Sequence, residues 1–88
     1  MAKKRKILEK ILAGSKNIRF DDLLLLLAAL GFQFNRISGS HHIFEHPKVP
    51  QPVSVQPDKN GQAKVYQLQQ LLKLIEKYNL QLEEENQE

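Results

Sequence analysis

Apolar residues recur at helical intervals along the first stretch of the chain. Ile7, Leu8, Ile11 and Leu12 fall on one stripe among lysines, which predicts a short helix over residues 3–13. Gly14 and Ser15 stop it. Ser15 or Asn17 then offers a side-chain cap for a second helix, with Asp21 and Asp22 in its first turn, where carboxylates suit the positive end of the helix dipole. That helix runs to about Leu30, and Gly31 occupies the C-terminal position that favours positive φ. From Leu23 to Leu30 it is apolar nearly all round, the mark of a helix buried in a core or against another chain. A domain this small needs those leucines for its core.

Beyond Gly31 the period shortens. Phe32-Gln33-Phe34-Asn35-Arg36-Ile37 alternates at first and predicts a strand, and Ser38-Gly39-Ser40 predicts a tight turn. His41-His42-Ile43-Phe44-Glu45-His46 follows as the second strand of a hairpin, ended by Pro47. Pro50 and Pro52 bracket a loop and leave Val53-Ser54-Val55 as a short third strand at an edge. Pro57-Asp58-Lys59-Asn60-Gly61 is a turn cluster. The last helix spans about Ala63 to Tyr78, with Val65, Leu68, Leu71, Leu72 and Ile75 as its buried stripe. The order α-α-β-β-β-α predicts an α+β domain, a three-stranded antiparallel sheet packed on helices. Its other sheet face is left for water or a ligand.

Eighty-eight residues make one domain, taken as 1–82, with 83–88 as an acidic disordered tail. The absence of cysteine excludes disulfides and thiolate metal sites. The net charge of +3 is unevenly spread, because four of the ten acids lie in the last six residues. Residues 1–82 therefore carry thirteen basic and six acidic side chains, an excess that attracts polyanions, although a lysine-rich solvated surface has the same composition. The longest apolar run, Leu23 to Leu30, is far short of the ~20 residues a membrane helix needs. Lys3, Lys4, Arg5 and Lys6 precede Ile7 and Leu8, but Glu9 and Lys10 interrupt that apolar stretch at once, too early for a signal peptide. The expectation is a cytoplasmic protein with no membrane partner.

The three histidines, His41, His42 and His46, fall within six positions. On a strand His41, Ile43 and Glu45 share one face, and His42, Phe44 and His46 the other. With Ile43 as the core residue, His42 stands on the open face, where Phe44 is a stacking surface for a base. Phe44 is also apolar, and the opposite arrangement would put it under a helix. His42 and His46 lie four apart, roughly 13 Å along a strand and too far to chelate one ion. Asp58, Glu45 and Glu76 are scattered, so neither a metal site nor a carboxylate pair is legible, and no cofactor is expected. Nor is a Ser–His–Asp arrangement or a phosphate-binding glycine loop. Histidine remains the tool for chemistry. Its ordinary pKa near 6.5 suits proton exchange with a ribose 2′-hydroxyl or a leaving oxygen, while cations such as Arg36 and Lys48 hold the phosphate.

Leu30-Gly31-Phe32, a strand ending at Gly39, and Ser40-His41-His42-Ile43-Phe44 followed by His46-Pro47 together resemble the HicA toxin family. The resemblance covers about Phe20 to Tyr78 and leaves the helix of residues 3–13 as an addition. It implies a fold like that of a double-stranded RNA-binding domain. The implied activity is that of a metal-independent mRNA interferase, neutralised by a HicB-like antitoxin. The family's catalytic histidine falls on His42, and Gly39 and Ser40 match the turn before it. Arg36, Gly39, Ser40, His41 and Lys48 are the expected RNA contacts. Where the family carries a basic, His-containing stretch and a Gly-Thr-Leu lead into the last helix, this chain has Gln56 to Gly61 and Val65-Tyr66-Gln67-Leu68. Two other readings stand beside the toxin endoribonuclease. One is a non-catalytic RNA-binding module of the same fold. The other is a protein-interaction domain docking through the Leu23–Leu30 helix.

Overall fold

The structure, a computed structural model, describes residues 3–82. The acidic run beginning at Glu83, expected to be disordered, lies outside them. Three helices and three strands follow in the expected order: α1 (Lys3–Leu12), α2 (Phe20–Ala29), β1 (Gln33–Ser38), β2 (His41–His46), β3 (Val49–Val55) and α3 (Val65–Tyr78). The strands form one antiparallel sheet in the order β1-β2-β3, which makes this an α+β fold.

One core joins every layer. Leu23, Leu26, Leu27 and Leu30 of α2 and its C-cap are almost wholly buried. Around them lie Ile7 and Ile11 of α1, Phe44 of β2, Val53 and Val55 of β3, and Leu68 and Leu71 of α3. The apolar girth of α2 is thus explained within the chain, since Leu24 and Leu25, off the main stripe, also pack against this cluster. The buried stripe of α3 is the expected one at Leu68, Leu71, Leu72 and Ile75, and departs from it only in the first turn. Val65 is 37% exposed, whereas Gln67 is buried. In the orientation that satisfies both its amide atoms, Gln67 donates to the carbonyl of Gln56 and accepts from its N–H at 3.2 Å each, tying α3 to the end of β3.

Neither Ser15 nor Asn17 caps α2. Its N-cap is Arg19, with no side-chain cap bond, and backbone pairing does the work instead. The N–H of Phe20 donates to the carbonyl of Gly61 at 3.1 Å, that of Ala63 donates to the carbonyl of Ile18 at 2.7 Å, and Arg19 and Gln62 form a β-bridge. The β3–α3 loop therefore holds the start of α2. Within that loop Asp58 accepts the N–H groups of Gln62 and Asn60, which keep its carboxyl below the usual carboxylate range. A lowered folded-state pKa stabilises the fold above the ordinary Asp value, and that contribution disappears as pH falls through the lowered value.

β3 is longer than its predicted core of three residues. It begins at Val49, and its pairing with β2 is irregular between Phe44 and His46, where Pro50 and Pro52 supply no ladder donors. At the same end, His46 closes a polar gap. Its Nδ1 accepts the N–H of Lys48 at 2.9 Å, which leaves the proton on Nε2, 3.0 Å from the carbonyl of Leu30 at the end of α2. Its ring also meets Phe32 edge to face at 4.9 Å. Replacing His46 by Ala leaves that part-buried carbonyl without its partner, and urea denaturation should show a loss of about 1–3 kcal/mol. Asp58→Ala should be nearly silent in strong acid and destabilising at neutral pH, read from thermal melts across the acid range.

Candidate functional site

Ser38 pairs directly with His41, so the β1–β2 loop is the two residues Gly39 and Ser40. Gly39 has φ +64° while Ser40 has none of the positive-φ strain, the pattern of a turn that needs glycine at its first central position. The turn is the expected one, and it sets which way each following side chain points.

Phe44, not Ile43, is the core residue of β2: Phe44 is 5% exposed, and Ile43 is half-buried. The expectation that His42 lies on the open face is therefore corrected. Phe44 is the larger apolar group, and the helices cover its side of the sheet. His42 shares that side. Its ring packs edge to face on Phe20 of α2 at 5.0 Å, between Ile37 of β1 and Val55 of β3 in the ladder. The Nδ1 of His42 is buried without a hydrogen-bond partner, the one such side-chain atom among the described residues. Neither a donor nor an acceptor reaches it, so this nitrogen is desolvated without compensation.

His41 points the other way. It is exposed on the open face, and its Nδ1 lies 3.0 Å from the hydroxyl of Ser54 on β3. Beside it the hydroxyl of Ser40 donates to Oε1 of Gln56 at 2.9 Å. Arg36 stands opposite Ile43 on the same face, two residues along from the Ser38–His41 pair, or about 7 Å. Further along, Asn35 donates to the carboxylate of Glu45 at 2.6 Å. The open face near the turn thus offers an imidazole, a guanidinium and several hydroxyls.

Of the expected site residues, Arg36, Gly39, Ser40 and His41 gather at this end of the hairpin, while His42 lies through the sheet from them. Lys48 does not join them. It follows β2 at the opposite end, roughly 17 Å or more from His41 at the usual strand rise. The sequence reading missed Ser54 and Gln56, whose pairing with His41 and Ser40 exists only once β3 is set beside β2. No group of three or more His, Asp or Glu side chains among the described residues is close enough to hold a metal ion. No helix among them is long and apolar enough to cross a membrane.

A family model for the HicA toxin of bacterial toxin–antitoxin systems matches residues 20–76. The chain belongs to the HicA toxin family. Its role is that of the toxin in a toxin–antitoxin pair, and its partner is the antitoxin. No curated protein and no solved structure matches the chain. The HicA match begins on the first residue of α2, so α1 lies outside it and supplies Ile7 and Ile11 to the core as an addition.

The buried, unpartnered nitrogen of His42 generates a prediction about stability. Substitution His42→Leu removes a desolvated polar atom while keeping apolar bulk against Phe20. Chemical denaturation should find the variant as stable as the parent, or more so by up to about 1–2 kcal/mol. A clear loss would mean that the ring's polarity supports the fold.

Proposed function

We propose that this HicA toxin is an endoribonuclease that cleaves mRNA with a hairpin histidine, and that His41 carries the proton transfer. The observation behind this reading is the exposed His41 ring on the open face, steadied by Ser54 at 3.0 Å and neighboured by Arg36. The family resemblance in the sequence points to His42. The half-buried setting of His42 under Phe20 favours its neighbour instead.

The chemistry needs little else. The ribose 2′-hydroxyl is an internal nucleophile. Its proton passes to the open nitrogen of His41, the 2′-oxygen attacks phosphorus, and the bond to the 5′-oxygen breaks. The products are a 2′,3′-cyclic phosphate and a 5′-hydroxyl, the leaving oxygen taking up one proton. A serine hydroxyl both donates and accepts, so Ser54 can pair with Nδ1 whichever form the ring adopts. Arg36 offsets charge building on the phosphoryl oxygens. DNA, without the 2′-hydroxyl, is not a substrate for this route. A HicB-like antitoxin that covers the open face would deny RNA access to the ring.

The test compares His41→Ala and His42→Ala on single-stranded RNA, with cleavage followed on gels and binding followed separately. His41→Ala should lose about 10²–10⁴-fold in cleavage rate while it still binds RNA and still folds. At saturating RNA, His42→Ala should cleave far closer to the parent. Wild-type cleavage by His41→Ala together with loss in His42→Ala would return the role to His42. RNA binding without any cleavage by the parent would make the protein a non-catalytic binding module.

A further inference from the structure

β1 is an edge strand, and all six of its residues are exposed. Two of them are large and apolar, Phe34 at 54% and Ile37 at 55% exposure. Three residues apart on a regular strand, they would face opposite sides of the sheet. A bulge prevents this. Phe34 pairs with Phe44 and Arg36 with Ile43, which leaves Asn35 as the extra residue, so Ile37 comes opposite His42. Phe34 and Ile37 therefore both lie on the helix side, beyond the cover of α2. The Phe34 ring is held at 5.6 Å, edge to face, against Phe44 and stands 6.4 Å from His42. It is fixed on its inner side and open on the other. The His42 ring, half-buried, borders it on the same side of the sheet.

We infer that Phe34, Ile37 and the half-buried ring of His42 form a seat for an unpaired nucleobase of single-stranded RNA. This rests on the RNA reading above and adds a second contact, on the far side of the sheet from His41. Three observations select the occupant. An exposed aromatic ring, packed on its inner side against Phe44 and neighboured by a half-buried imidazole, gives a base a stacking face beside a polar ring. The basic excess of residues 1–82, with Arg36 on this same strand, favours a ligand that carries phosphates. The bulge disrupts the outer ladder of β1, which makes the edge a poor template for an added strand. The seat also lies within reach of the proposed reaction. Ile37 and Ser38 are adjacent and sit opposite His42 and His41, so one RNA strand crossing the β1 edge beside the turn meets both faces.

The experiment measures fluorescence anisotropy of a short, unstructured, labelled single-stranded RNA with the full chain carrying His41→Ala, so that nothing is cut. Adding Phe34→Ala should weaken binding about 5–100-fold. Phe34→Trp should retain it. Leu12→Ala, which removes an equally exposed apolar group on α1, should change nothing. Melting curves confirm that each variant folds. Unchanged affinity in Phe34→Ala overturns the seat, as does full affinity in Phe34→Leu, because a plain apolar contact would then suffice. A Phe34→Ala variant that loses only its antitoxin, with RNA affinity intact, overturns it too. Cleavage by the parent protein is scored independently. A chain that does not cut but needs Phe34 to bind keeps the seat, and a chain that cuts with affinity indifferent to Phe34 loses the seat alone.

Discussion

The strict alternation of side chains along β2, with Phe44 committed to the core, is the constraint on which the rest depends. A strand has two faces and no intermediate, so burying Phe44 carries His42 and His46 to the helix side and delivers His41 to the open side. A slip by one residue would bury His41 and Ile43 and expose Phe44, losing a large aromatic from the centre of the cluster. That cost pins the register, and the register pins the chemistry that each histidine can reach.

The three neighbouring histidines then do three different things. His46 accepts from the N–H of Lys48 and faces the carbonyl of Leu30, so both its nitrogens are used and it closes the end of α2. His42 is wedged against Phe20 with one nitrogen sealed and unpartnered, a small cost set against the packing around it. His41 stands in water with Ser54 beside it. Chemistry that depends on an accessible imidazole has one clear candidate on the open face. Recognition that depends on a ring edge beside an aromatic has another at the strand edge.

The start of α2 is held without side-chain caps. Its first donors and the residues before it pair with the β3–α3 loop, and Asp58 gives that loop its shape through two main-chain hydrogen bonds. Because Phe20 opens α2 and also supports the His42 ring, the same loop positions the wall of the proposed base seat. The bulge at Asn35 supplies the other wall by turning Ile37 to the side of Phe34. Both devices act at the border between the helix layer and the uncovered β1 edge.

The element order, the hairpin turn at Gly39 and the burial of α2 were legible in the sequence, because periodicity, turn chemistry and apolar girth are local properties that few alternatives satisfy. So was the HicA resemblance, carried by the short run from Gly39 to Phe44. The face on which each histidine lies was not, since Ile43 and Phe44 are both apolar and the choice between them is made by helices distant in sequence. The missing side-chain cap on α2, the burial of Gln67 in place of Val65 and the meeting of His41 with Ser54 belong to the same class. Each depends on a second segment arriving from elsewhere in the chain, and only packing in three dimensions decides where that segment comes to rest.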